Sequence, residues 1–241
     1  MIIDFHVHYG QDIDGQNTTM EQISRGLVTN GVYKTVVFPF NSGRLLEDSR
    51  KIYEMSRDRI SIIPFLRFDP SNISQEDLRK ALDMGYKGVK LHPTSQRFYP
   101  DDPNITWIYD EISRYKIPIL FHCNTSVNEP MAQPSHVLNL AERYPDQIFV
   151  LGHCIGGDVS PFEEVSRYSN VYVDTSVDSY KVLYERVWQM FKFDRFVFGS
   201  DFPYSDVDIE LLKIQRANVQ DDLKEKILYK NACKILGLNM C

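Results

Sequence analysis

The 241-residue chain is short of cysteine, of long apolar runs and of clustered positive charge, and each shortage excludes something. Its four cysteines, Cys123, Cys154, Cys233 and Cys241, are scattered and form no CxxC pair. They give no disulfide framework, and unpaired thiols in a chain of this size suggest a reducing compartment. No apolar stretch approaches the ~20 residues of a membrane-spanning helix, so no membrane partner is expected. The formal net charge is −6 and there are no basic runs. Nucleic acid is therefore a poor partner, because phosphate contacts need clustered Lys and Arg. The start, Met1-Ile2-Ile3-Asp4-Phe5-His6, lacks the basic region, apolar stretch and cleavage site of a signal peptide, which points to a cytoplasmic protein.

What is present is ordinary in bulk, with 43% apolar and 25% charged residues. The length suits one domain over residues 1–241 better than two small ones. Eight short runs rich in Val, Ile and Phe recur at Ile2–His8, Lys34–Phe40, Ile60–Phe68, Gly88–His92, Ile117–His122, Ile148–His153, Val171–Thr175 and Phe196–Asp201. Such runs suit strands buried on both faces. Helical patterns fill the gaps: Thr19–Gly31, Leu45–Arg57, Ser74–Gly85, Asn104–Tyr115, Ser135–Tyr144, Pro161–Ser169, Ser179–Phe191, Ile209–Ala217 and a last one over Asp221–Leu236. Ser74 followed by Asp77 resembles a capping box with a shorter acid. Strands alternating with helices predict the α/β class and a parallel sheet, closed as a single (β/α)8 TIM barrel. An open doubly wound sheet is the competitor, but it usually carries a Gly-rich loop after the first strand, where this chain reads His8-Tyr9-Gly10-Gln11-Asp12.

Five of the six histidines fall at strand ends: His6 and His8, His92, His122 and His153. Barrel enzymes place their active sites at the carboxyl ends of the strands. His6 and His8 are two apart, so strict alternation puts both on one face, with Asp4 deeper on it. Two neutral imidazoles side by side are good ligands for Zn²⁺ and similar ions. His122 and His153 each follow a strongly apolar run, where an unpaired polar group would be costly and a metal or substrate would be a partner. Asp201 can bind a metal, take a proton from bound water, or both.

The remaining polar residues leave alternatives open. Lys90 and His92 should face the interior. Lys90 is a salt-bridge partner, a substrate-binding cation, or a carboxylated lysine bridging two metals. His92 is a ligand, a substrate contact or a structural group. Arg67 can clamp a substrate carboxylate or pair with Asp69, and Arg44 and Arg97 are lesser candidates for the clamp. Asp174 is structural or a substrate contact. Cys123 and Cys154 should turn away from the site.

Asp4-Phe5-His6-Val7-His8, Gly88-Val89-Lys90-Leu91-His92-Pro93, His122, Gly152-His153-Cys154 and Gly199-Ser200-Asp201-Phe202-Pro203 occur in that order. Together with Asn231–Leu238 they resemble the amidohydrolase superfamily, and within it the amidohydrolase-2 group that includes aminocarboxymuconate-semialdehyde decarboxylase. The resemblance implies one divalent metal on His6, His8, His122 and Asp201, with zinc favoured over manganese or iron. A second metal on a carboxylated Lys90 is the alternative. It implies His153 and Asp201 as the catalytic pair, with Lys90, His92 and Arg67 left to bind a small-molecule substrate, and a homodimer, since related proteins are often dimers. The leading expectation for the reaction is hydrolysis of an ester, lactone or amide by metal-activated water. The second is non-oxidative decarboxylation of an unsaturated or aromatic acid. A barrel that keeps the motif without the chemistry is the third.

Overall fold

The computed structural model describes residues 1–177 and 181–239. The strands, in chain order, are β1 (Ile3–Gln11), β2 (Asn17–Thr18), β3 (Lys34–Pro39), β4 (Ile62–Pro64), β5 (Leu66–Arg67), β6 (Val89–Leu91), β7 (Ile119–Phe121), β8 (Phe149–Leu151), β9 (Val171–Asp174) and β10 (Phe196–Val197). All pairings are parallel except the small β1–β2 hairpin, which pairs Gly10 with Thr18 and was not foreseen. Two ladders result, β2-β1-β3-β4 and β10-β9-β8-β7-β6-β5. Backbone hydrogen bonds join them at both ends. Phe65 N donates to Val37 O (2.9 Å) and Leu66 N to Gly88 O (2.9 Å) on one side. On the other, Phe5 N donates to Phe198 O (2.7 Å), Asp201 N to His6 O (2.8 Å) and His8 N to Phe202 O (2.9 Å). The sheet is thus the closed α/β barrel that the alternating pattern predicts.

The expected third strand is broken at Phe65, and packing explains the break. A Cβ on Gly88 would lie 2.2 Å from Phe65 Cζ, so the phenyl ring occupies the space that a side chain on β6 would need. Phe65 lies in an inner apolar layer to which Ile3, Phe5, Phe38, Leu120, Val150, Tyr172 and Val197 also contribute. Ala232 and Ile235 of the last helix close this layer. A second, larger cluster lies outside, where Val7, Val89, Leu91, Val171 and Val173 meet the helices.

The helices are α1 (Met20–Asn30), α2 (Leu45–Ser56), α3 (Gln75–Asp83), α4 (Pro93–Gln96), α5 (Thr106–Ser113), α6 (Pro134–Arg143), α7 (Phe162–Val165), α8 (Lys181–Phe191), α9 (Val207–Arg216), α10 (Asp221–Glu225) and α11 (Asn231–Leu236). The expected start at Ser179 lies outside the described residues. α1 has a full capping box, Thr19 with Gln22, and ends on Gly31 at φ 64°. α3 has only half of one. Ser74 Oγ accepts from Asp77 N, and the short Asp77 side chain stops at Ser74 Oγ (2.7 Å). The last helix is interrupted by a π turn over Lys226–Lys230.

Strict alternation on β1 is also corrected. The β1–β3 register shifts between Asp4 and Val7. Phe5 belongs to the inner layer and Val7 to the outer one. His6 and His8 share the inward face as alternation predicts, while the bulge brings Phe5 inside as well and leaves Asp4 behind the histidines, where it accepts from Ser200 N (2.9 Å) and Ser200 Oγ (2.6 Å). The cysteines need a correction too. Cys123 and Cys154 are buried, but Cys233 is disulfide-bonded, so the set does not argue for a reducing compartment. Among the described residues no helix is long and apolar enough to cross a membrane.

Candidate active site

β1 carries His6 and His8, β6 carries Lys90, and β9 ends on Asp174. His92, His122, His153 and Asp201 stand just beyond the ends of β6, β7, β8 and β10. Backbone strain marks two of these positions. Asp201 has φ 58°, and His153, Cys154 and Ile155 have φ 55°, 48° and 59°. Left-handed backbone is unfavourable for residues with a Cβ, most of all for a β-branched one such as Ile155, so tertiary contacts must hold it. One such contact is Asp174 Oδ1, which accepts from His153 N (3.0 Å).

His6 is completely buried, and its two ring nitrogens face different partners. Nδ1 lies 2.7 Å from Asp174 Oδ2. Nε2 lies 3.1 Å from Asp201 Oδ1 and 3.2 Å from Lys90 Nζ. Asp201 Oδ1 also lies 2.9 Å from His8 Nε2, and its Oδ2 lies 3.8 Å from His153 Nδ1. Among the described residues, His6, His153 and Asp201 offer ligand atoms that all lie within 4.8 Å of one another. A neutral His6 that gives its Nδ1 proton to Asp174 turns the Nε2 lone pair toward a carboxylate oxygen. Two acceptors at that distance need a cation or a proton between them. A carboxylate on the far nitrogen of a histidine is also the usual support of a metal ligand. This donor set therefore fits a divalent metal.

Without a metal, the electrostatics favour a proton in that place. Burial would raise the Asp201 pKa, but the charges of His6 and His153 and hydrogen bonds from His6 and His8 hold it well below the usual carboxylate range. Asp174 is likewise held far down against its burial, chiefly by His6. Burial and Lys90 push His6 down, yet Asp174 and Asp201 outweigh them and raise it. Burial lowers His8 to about 3 and takes His153 and His92 well below the usual value, so these rings stay neutral and available as donors.

His122 sits differently from the other expected ligands. Its Nε2 lies 2.8 Å from Glu129 Oε2, and its ring stacks on His92 at 3.8 Å. Its Nδ1 is buried with no hydrogen-bond partner. The His122 and His153 ring centroids are 4.7 Å apart, as close as those of His6 and His153 at 4.9 Å, so His122 borders the cluster although it is not one of the three grouped residues. Glu129 also accepts from Thr94 Oγ1 (2.9 Å) and Asn124 Nδ2 (3.1 Å). It escaped the sequence reading, as did Ser176 and Tyr204. An acid before Pro130 in the loop after β7 is the one signal that marked Glu129. His92 caps α4, accepting from Ser95 N at 3.2 Å.

Among the described residues, neither Lys90 nor Arg67 makes a salt bridge, although Asp174 and Asp201 act on Lys90 from nearby and Asp12 on Arg67. Lys90 Nζ lies 5.0 Å over the Phe38 ring, and burial lowers it to about 7. The Arg67 guanidinium donates to Pro39 O (3.0 Å) and Ser95 Oγ (3.2 Å), while its Nε is buried without a partner. Burial lowers Arg67 to about 10. Asp69, weighed above as its ion-pair partner, instead accepts from Ser71 N and Asn72 Nδ2. A cavity of about 360 Å³ is lined by His8, Arg67, Lys90, His122, His153 and Asp201 together with Tyr204.

The amidohydrolase family model matches residues 3–238, so the chain belongs to the amidohydrolase family. Solved structures with the same fold include 2,6-dihydroxybenzoate decarboxylase from Rhizobium, with 15% identity, TM-score 0.79 and 98% of each chain covered. They include 5-carboxyvanillate decarboxylase from Sphingomonas paucimobilis, with 12% identity, TM-score 0.81 and 98% of each chain covered. A dihydroxybenzoic acid decarboxylase from Polaromonas sp., with bound manganese and the inhibitor 2-nitroresorcinol, has 16% identity and TM-score 0.81, covering 100% of this chain and 98% of that one. No protein of curated function matches the chain. These relatives correct the leading expectation of hydrolysis. The named enzymes that share the fold are lyases, and they favour the decarboxylation that stood second. Zinc in particular finds no support among them.

Proposed function

We propose that the protein is a metal-dependent, non-oxidative decarboxylase of a hydroxylated aromatic or unsaturated carboxylic acid. The observation that carries this reading is that Lys90 and Arg67, both buried, line the same cavity as the His/Asp cluster and, among the described residues, form no salt bridge. A buried charge is costly unless an opposite charge meets it. An anionic substrate meets that need, and a neutral ester or lactone does not. The names of the Rhizobium, Sphingomonas and Polaromonas relatives support the same reaction class.

His6, His8, His153 and Asp201 would hold the metal, with His122 available at the edge of the cluster. Mixed imidazole and carboxylate donors suit manganese, zinc or iron alike, and the Polaromonas relative makes manganese our choice. When bound, such a cation supplies Lewis-acid charge that anchors an anionic oxygen and draws electron density from the substrate. The chain's own residues do the rest. Lys90 and Arg67 bind and orient the acid. The bond from the ring carbon to the carboxylate breaks, its electron pair stays on that carbon, CO₂ leaves, and one proton is added to the carbon. Asp201 is placed to carry this proton, since Oδ1 is committed to His6 and His8 while Oδ2 faces His153. His153 is in turn oriented by Ser176 Oγ at 3.1 Å.

The test is a parallel assay of CO₂ release from hydroxybenzoates and of hydrolysis of esters, lactones and amides. The protein is purified without chelator. CO₂ release that a chelator abolishes and Mn²⁺ restores is the expected result. Hydrolysis without release of CO₂ from any acid would overturn the proposal.

A further inference from the structure

The tip of the β1–β2 hairpin lines the cavity of the His/Asp cluster with Asp12, Ile13 and Asp14. Two acids at the mouth of a site for an anion need an explanation, because they repel the anion and compete for its cations. Tyr204, in the loop after β10, meets both of them. Its hydroxyl lies 3.0 Å from Asp12 Oδ2 and 3.3 Å from Asp14 Oδ2. The other Asp14 oxygen accepts from Gln16 N (3.0 Å). Among the described residues, neither acid makes a salt bridge, and the Arg67 guanidinium donates only to Pro39 O and Ser95 Oγ. Asp12 nevertheless acts electrostatically on Arg67, which lines the same cavity. Among the described residues, the remaining hydrogen bonds of the tip stay within the hairpin, such as Asp12 N to Gln16 O (2.8 Å) and Gly15 N to Asp12 O (3.2 Å). Gly10 and Gly15 bracket the tip at φ 93° and 96°, with nothing within 4 Å of where a Cβ would stand. Tyr204 is thus the tie that fixes where the two charges stand.

We propose that Tyr204 is a positioning residue that holds Asp12 away from Arg67 and so keeps that guanidinium free for the carboxylate of the substrate. A hydroxyl does not cancel the charge of a carboxylate. It fixes the oxygens that carry the charge, here on the Tyr204 side of the mouth. Arg67 has a buried Nε without a partner. A guanidinium with an open donor takes a carboxylate by paired hydrogen bonds, whether that carboxylate belongs to the substrate or to Asp12. Pairing with Asp12 would fill the anion site from within. The tie also leaves Ile13, 75% exposed between the two acids, as the part of the tip that an aromatic ring can cover. The two ends of Tyr204 have different tasks. Its ring stands edge-on to His8 at 5.4 Å and to Phe40 at 5.7 Å, which anchors it to the barrel. Its hydroxyl reaches the hairpin. A phenylalanine keeps the first and loses the second.

This role rests on the reading of the cavity as the place of an aromatic acid, and the test keeps the two apart. Binding to the Mn²⁺-loaded protein is measured by calorimetry for 2-hydroxybenzoate and for its neutral analogue 2-hydroxybenzamide. Tyr204→Phe is expected to weaken 2-hydroxybenzoate roughly fivefold, the worth of a half-exposed ion pair that the ligand must first break, and to leave 2-hydroxybenzamide within about twofold. Asp12→Asn added to Tyr204→Phe should restore the affinity for the acid. A loss below about twofold, a loss shared by the amide, or one that the second substitution does not repair would overturn the proposal. The crystal structure of ligand-free Tyr204→Phe is the second measurement. Asp12 is expected within about 4 Å of the Arg67 guanidinium, and an Asp12 that stays where it now stands refutes the tie. If neither compound binds the unaltered protein, the aromatic-acid reading falls, and that crystal structure alone decides whether Tyr204 restrains Asp12.

Discussion

Asp174 never touches the cavity, yet its replacement by asparagine should cripple the metal site. The carboxylate uses Oδ2 for His6 Nδ1 at 2.7 Å. It uses Oδ1 for three donors: His153 N (3.0 Å), Ser176 N (3.0 Å) and Ser176 Oγ (2.6 Å). An asparagine has one acceptor oxygen, and the three donors will claim it. Its amide N–H groups then face His6 Nδ1, donor against donor. The imidazole relieves this by taking the other tautomer, with the proton on Nε2. That proton occupies the lone pair directed at Asp201, so the ring can no longer ligate without rearrangement. Loss of a supporting partner of this kind weakens metal affinity or activity by about 10–100-fold. The equivalent free energy is about 1.4–2.7 kcal/mol. The assay is a competitive titration of Mn²⁺ against an indicator chelator, with circular dichroism to establish that the variant is folded. A folded Asp174→Asn protein that binds Mn²⁺ within twofold of the unaltered protein would refute the reasoning, because the tautomer of His6 would then not matter.

Two further predictions concern stability. Burial raises the pKa of Asp4 from 3.8 to about 6, against the hydrogen bonds from Ser200 and His6. Below the lower value both states are protonated and the residue contributes nothing. Between the two values the unfolded chain loses the proton and the folded one keeps it, so stability falls as pH rises. The full loss, about 3 kcal/mol, is present above pH ~6. Asp4→Asn removes this dependence, so the stability difference between metal-free variant and parent should grow from pH 4 to pH 8 in urea denaturation, and a constant difference would count against it. Gly88→Ala places a methyl group 2.2 Å from Phe65 Cζ, and overpacking of this kind should destabilise by about 1–3 kcal/mol. Phe65→Leu in the same protein should recover part of the loss, and a Gly88→Ala protein as stable as the parent would show that the ring moves freely.

The residues of this chain determined more of the architecture than of the site. Apolar runs at regular spacing, rich in β-branched residues, dictate buried parallel strands, and histidines at their ends mark the rim where chemistry gathers. Both follow from local periodicity, which needs no knowledge of what lies across the barrel. Tertiary structure decided the partners. The break at Phe65 depends on the missing side chain of Gly88 on the next strand, 23 positions along. Alternation puts His6 and His8 on one face, but the presence of Phe5 on the inside as well, with Asp4 behind the histidines, depends on a bulge that it does not anticipate. The distinction between His153, which joins His6 and Asp201, and His122, which turns to Glu129, has no counterpart in the spacing of the two motifs. Nor does the lack, among the described residues, of a salt bridge to Lys90 or Arg67, on which the choice of an anionic substrate rests. Spacing along the chain states which residues reach the rim. Which charges meet there is settled by strands far apart in sequence, because a charge is satisfied through space and not along the backbone.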